Sequence, residues 1–68
     1  MCKELDDYLT ALEKEQGEGA ISFFAQRVGC SRTQLWRYRK GKQKPGIKRR
    51  QSIKRLTKGV VQPEHFNN

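Results

Sequence analysis

Sixty-eight residues allow one small domain. A domain of that size buries only about 60% of the surface its unfolded chain exposes, so a partner subunit or a nucleic acid is expected to add to its stability. Two cysteines, no CxxC pair, one histidine and no long apolar run exclude a disulfide scaffold, a structural zinc site and a membrane span. With no secretory leader read at the start, the expected setting is the reducing cytoplasm of a bacterial host cell.

The formal net charge is +8, and its placement is uneven. Residues 1–20 carry two bases and six acids, a net −4, whereas residues 21–68 carry thirteen bases and one acid, a net +12. A gradient this steep reads as a polyanion-binding face opposite an acidic back, with a merely solvated basic face as the plainer alternative.

Along the chain, Leu5, Tyr8, Leu9 and Leu12 recur at i, i+3, i+4, i+7 and predict a helix over Lys3–Glu15, with Asp6, Asp7, Glu13 and Glu15 on its opposite, solvated side. These carboxylates lack a partner histidine or metal ligands and are not expected to be catalytic. Cys2 is expected at a frayed end. Gln16–Gly19 reads as a turn; with no preceding strand and no following GK[ST], its two glycines do not form a phosphate loop.

The most informative stretch is Ile21–Gly41, ISFFAQRVGCSRTQLWRYRKG. Ile21, Phe24, Ala25 and Val28 form one apolar face of a helix starting near Ala20. Phe23 lies beside that face and is expected to pack against Leu9 or Leu12. Gly29 suits the left-handed residue that ends such a helix. Ser31 and Gln34 have the spacing of a capping box that opens a second helix, from about Arg32 to Lys40, which Gly41 ends. Leu35 and Tyr38 would face inward with Cys30 as a small plug between the helices, leaving Arg32, Thr33, Trp36, Arg37 and Lys40 outside. A B-form major groove is about 12 Å wide and admits one helix of this kind.

Ala25, Gly29, Ser31, Leu35 and Tyr38 resemble the helix-turn-helix of phage and bacterial repressors, with alanine at the helix crossing, glycine at the turn, a polar cap and buried anchors. The segment from Ser31 to Pro45 resembles the Cro/repressor-type DNA-binding domain. Ile47, Ile53, Gly59, Val61, Glu64 and Phe66 keep a spacing similar to that of small Cro-like regulators of the prophage YdaS type. Phe23, Phe24 and Trp36 are bulkier than is usual at such positions, and Cys30 stands where valine or isoleucine is usual. The resemblance covers roughly Ala20–Phe66. It implies an all-α, lambda-repressor-like fold of four to five short helices, a single domain over residues 1–68 with the helix-turn-helix at about residues 20–40.

In the second helix, Arg32, Thr33, Trp36 and Arg37 are the candidate base contacts. The arginine fork matches guanine O6 and N7, and threonine can donate a hydrogen bond or touch the thymine methyl. Trp36 reads equally as a structural or dimer-contact residue. Ser31 and Gln34 could reach phosphate, although capping already accounts for both. Arg39, Lys40, Lys42, Lys44 and Lys48 form a basic loop held extended by Pro45. Lys40, Lys42, Lys44, Lys48, Arg49 and Arg50 are the remaining candidate phosphate contacts, which set register without reading sequence. The same loop could be the wing of a winged helix, although no alternating strand pair flanks it.

A fourth helix is expected over Ile47–Lys58, with Ile53 and Leu56 in the core and Gly59 as its C′ stop. Lys54, Arg55 and Lys58 read as solvated. Pro63 can start a short turn that lets Phe66 pack back, His65 has no metal or catalytic partner, and Asn67 and Asn68 read as a loose end.

These readings converge on a sequence-specific, double-stranded DNA-binding repressor, Cro-like, homodimeric at least on DNA, with a pseudo-palindromic operator whose half-sites lie about 34 Å apart. Two alternatives stay open. One is an excisionase-like architectural factor. The other is an antitoxin that represses its own operon and offers its acidic first helix to a protein partner. An RNA-binding module is disfavoured because stacking aromatics are few and no GxxG-type clamp occurs. An enzyme is disfavoured because no cleft chemistry can be assembled. No cofactor, metal, membrane or small-molecule ligand is expected.

Overall fold

The computed structural model describes residues 2–67. They form an all-α, helix-turn-helix-like fold of four α-helices and one 3-10 turn: α1 Lys3–Gln16, α2 Glu18–Val28, α3 Arg32–Arg39, α4 Ile47–Leu56 and the turn Pro63–Phe66. Among the described residues there is no strand, so the basic loop carries no wing, and no helix is long and apolar enough to cross a membrane.

Each helix contributes its apolar stripe to one core. Leu5 and Leu9 come from α1, Ile21, Phe24, Ala25 and Val28 from α2, Leu35 and Tyr38 from α3, and Ile53 from α4. Val61 and Phe66 close the core from the tail, as the sequence leads one to expect of Phe66. Tyr8, Leu12, Cys30 and Leu56 are half-buried against it. The Tyr8 and Phe24 rings lie 6.0 Å apart and tilted by 47°, a favourable offset arrangement for two ring quadrupoles.

Several local expectations are corrected. Helix α2 begins at Glu18 rather than Ala20, because Gly17 alone makes the break with φ 87° and ψ 177°. Cys2 is not frayed: it is 4% exposed and belongs to the core. Burial pushes both its thiol and that of Cys30 above the ordinary range, so neither is a reactive thiolate at neutral pH. Phe23 does not pack into the core but stands 59% exposed, with the Arg27 guanidinium 5.7 Å from its ring centre. Asn67 is tied down, its Oδ1 accepting from Arg50 at 2.8 Å. The expectation for Asn68 lies outside the described residues.

Helix α4 also ends earlier than its sequence suggests. Thr57 is buried, and its hydroxyl accepts from the Val61 amide at 3.1 Å. That bond holds the turn one residue upstream of Gly59. The Gly59 amide bonds the Lys54 carbonyl and the Lys58 amide bonds the Arg55 carbonyl, a Schellman arrangement whose left-handed C′ residue is Lys58, at φ 54°. A lysine there costs about 1–2 kcal/mol. Glycine would relieve that strain, offset in part by its greater freedom in the unfolded chain. Lys58→Gly is therefore expected to raise unfolding stability by about 0.5–1 kcal/mol, read as a higher midpoint in urea with an unchanged slope.

Candidate nucleic-acid interface

The geometry of α3 is set at both ends. Helix α2 stops in a Schellman turn at Gly29, where φ is 92°, with the Cys30 amide bonding the Ala25 carbonyl at 3.0 Å. Ser31 then caps α3: its Oγ accepts from the Gln34 amide at 3.1 Å, and Gln34 Oε1 accepts from the Ser31 amide at 3.3 Å. The capping box anticipated from the S-x-x-Q spacing is therefore present. At the other end, the Lys42 amide reaches the Arg37 carbonyl at 2.9 Å through a turn made by Gly41 at φ 73°.

Leu35, 0% exposed, and Tyr38, 2% exposed, fix the inner face of α3. Arg32, Thr33, Trp36 and Arg37 are all exposed at i, i+1, i+4, i+5, on one outer face. Among the described residues none of these four side chains makes a hydrogen bond or an ion pair within the chain. Trp36 is 47% exposed and outside the core, with Lys42 Nζ 5.9 Å from its ring centre.

The roll of α3 depends on contacts that sequence reasoning missed. Asp6, which periodicity puts on the solvated side of α1, faces α3 instead. Its Oδ1 accepts from Arg39 Nε at 2.8 Å and lies 3.5 Å from Lys40 Nζ, with its side chain only 20% exposed. Arg39 also donates to Thr10 Oγ1 at 3.2 Å. Lys40, a candidate phosphate contact, thus carries an acidic neighbour. Nothing local in the sequence announces a pairing across 33 positions; only the surplus of acids on α1 hints that some would find bases.

Arg49 and Arg50, read as phosphate contacts, both have internal roles. Arg49 donates to the Tyr38 hydroxyl at 2.8 Å and to the Gly29 carbonyl at 2.9 Å. The phenol oxygen beside it favours the charged guanidinium and raises its pKa further. Arg50 donates to the Pro45 carbonyl at 2.8 Å and to Asn67, over the Phe66 ring. Together they set the first turn of α4 against the turn that precedes α3 and hold the loop at buried Pro45.

Lys42, Lys44 and Lys48 are exposed. Among the described residues both ion pairs run to Asp6, so these three lysines, Arg32 and Arg37 are unneutralised within the chain. The first turn of α4 holds no acid and carries Lys48, Arg49 and Arg50 at the positive end of the helix dipole. That placement is unfavourable for the helix alone and favourable for an anion. Among the described residues no group of three His, Cys, Asp or Glu side chains could hold a metal ion.

The Asp6–Arg39 pair is well shielded, and a hydrogen bond between charged groups contributes about 1.5–3 kcal/mol. Asp6→Asn and Arg39→Gln are each expected to lower stability by about 1–2 kcal/mol, and the double variant by clearly less than their sum, in a urea double-mutant cycle. Strict additivity would show that the two side chains do not support one another.

Comparison with protein-family models, with curated proteins and with solved structures found no match for this chain.

Proposed function

We propose that the chain is a sequence-specific, double-stranded DNA-binding transcriptional repressor of the phage Cro-like kind. Helix α3 enters the major groove of a pseudo-palindromic operator, and bound protein excludes polymerase or a rival repressor. The observation that carries this reading is the outer face of α3: four side chains able to contact bases, exposed together, making no hydrogen bond or ion pair among the described residues, on a helix braced at both ends.

An α-helix with its side chains is about 10–12 Å across, a good match to the width of the groove. Arg32 and Arg37 supply guanine-type forks, Thr33 a short hydroxyl and methyl, and Trp36 a flat apolar surface for sugar and thymine methyl groups. Lys42 and Lys44 follow α3, and Lys48 opens α4 beside the preceding turn, so cations lie at both flanks of the reading face. They supply the sequence-independent affinity, through release of counterions from phosphates. Ser31 and Gln34 contribute through the cap, while Arg49 and Arg50 act mainly by holding α4 in place. Binding without catalysis is the whole of the proposed activity, and two copies side by side would read two half-sites.

Two kinds of variant separate reading from adhesion. Arg32→Ala or Arg37→Ala is expected to cost about 1–3 kcal/mol on the operator and to relax one base position. Lys44→Ala is expected to weaken operator and random DNA alike and to flatten the log–log salt dependence by about 0.9 for each phosphate no longer neutralised. Selection of bound sites from random duplexes, followed by titrations at several salt concentrations, measures both. Arginine variants that weaken operator and random DNA equally would remove α3 from the reading role.

A further inference from the structure

Lys54, Arg55 and Lys58 read in the sequence as solvated, but the fold gathers them. Gln51, Lys54, Arg55 and Lys58 line a hollow of about 530 Å³ beside α4. Arg55 also lines a second hollow, of about 360 Å³, together with Arg27 of α2 and Ser52. Four exposed cations thus border two adjoining hollows, and no acid lines either. Glu64, the one acid after residue 20, follows Pro63 at the edge of the first hollow without lining it. Among the described residues both ion pairs run to Asp6, so these four cations are unneutralised. Their convergence costs self-repulsion in the free protein, which a bound polyanion relieves.

Lys58 adds an independent sign. It holds φ 54°, a conformation that glycine adopts without strain. Residues kept in strained backbone conformations gather at functional sites, and here the strained residue is a cation lining the hollow. The side concerned also turns away from the operator-reading helix. Arg49 points from α4 to the turn before α3, through its bond to the Gly29 carbonyl. Lys54 and Arg55 lie about 140° and 120° round α4 from Arg49, in opposite senses, and so straddle the far side. No residue of α3 lines either hollow.

We propose that the far side of α4, with Arg27, grips the phosphate backbone of a second DNA duplex, so that one molecule bridges two duplex segments. The donors present are those that meet phosphate: guanidinium, ammonium, the Gln51 amide and the Ser52 hydroxyl. No aromatic ring lines either hollow, so the bases of a single strand find no stacking platform. The apolar side of α4 is spent on the core through Ile53, which leaves no apolar face to enter a membrane surface. A duplex, whose outside is a run of phosphates, is the polyanion that fits. Bridging from an operator rests on the reading of α3 above; the grip itself does not.

Capture of a second duplex tests it. The full chain is loaded at low salt onto a bead-tethered duplex bearing a selected site, and a fluorescent random-sequence duplex is added. The wild type is expected to retain the fluorescent duplex. Lys54→Gln with Arg55→Gln is expected to lower retention about tenfold, to flatten its log–log salt dependence by about 0.9 for each phosphate released, and to leave binding to the tethered duplex within about twofold. Lys58→Gly is expected to weaken capture while raising the urea midpoint. Lys3→Gln with Lys14→Gln removes the same charge from α1 and is expected to leave capture intact. A wild type that captures nothing overturns the proposal, as does a Lys54 and Arg55 variant that captures like the wild type or loses the tethered duplex equally. So does an α1 variant that loses as much, or polyglutamate or a single strand that displaces the fluorescent duplex better than unlabelled duplex does. Operator binding that survives such a failure leaves the α3 reading standing. Should selection return no preferred site, the α3 reading falls, and the grip is tested on random duplex alone, which the Lys54 and Arg55 variant is then expected to bind more weakly.

Discussion

An eight-residue helix has no stability of its own in water, where helices shorter than about 12–15 residues are marginal. Everything that α3 can do therefore depends on how the rest of the chain holds it. Leu35 and Tyr38 fix its depth by burial. The Ser31–Gln34 box and the Gly41 turn fix its ends. Asp6, reaching Arg39 and Lys40 from α1, fixes its roll about its own axis. A small rotation of α3 would carry the shared face of Arg32 and Arg37 round with it, so the ion pair bears on the proposed function as well as on stability.

Five of the seven arginines fall into two populations. Arg39, Arg49 and Arg50 have their donors directed inward, to Asp6 and Thr10, to Tyr38 and Gly29, and to Pro45 and Asn67. Arg32 and Arg37 make no such bonds among the described residues. A planar guanidinium with several donors in a rigid fork suits both tasks, joining backbone carbonyls inside a small fold and matching paired acceptors outside it. In a chain whose core holds about a dozen buried residues, polar bracing of this kind supplements apolar burial, which alone is meagre at this size. Lys42, Lys44 and Lys48, single-point charges on flexible stems, stay at the surface.

Much of the architecture is legible in the sequence because it is local. The stripe Leu5–Leu9, the alternation Ile21, Phe24, Ala25, Val28, the S-x-x-Q cap and the glycines at positions 29 and 41 each act within one or two helical turns, and each is found where expected. Phe23 departs from expectation because a ring adjacent to an apolar stripe can turn either way, and only the placement of α1 and α4 decides which. Cys2 departs from it because proximity to a chain end says nothing about which elements close over it. Lys58 enters the left-handed region one residue before Gly59, which is left-handed as well, in a turn where the buried Thr57 hydroxyl accepts from the Val61 amide.

By itself, the amino-acid order determined the number and type of helices, the side of each that turns inward, and the concentration of positive charge after residue 20, since periodicity, capping and composition are short-range or additive properties. The tertiary structure alone decided which charges are free. Asp6 and Arg39 are separated by 33 positions, Arg49 and Gly29 by 20, and such pairs exist only once packing has brought distant segments within hydrogen-bond reach. That closure turned two expected surface arginines into braces, and left Arg32, Thr33, Trp36 and Arg37 as a face that makes no hydrogen bond or ion pair among the described residues.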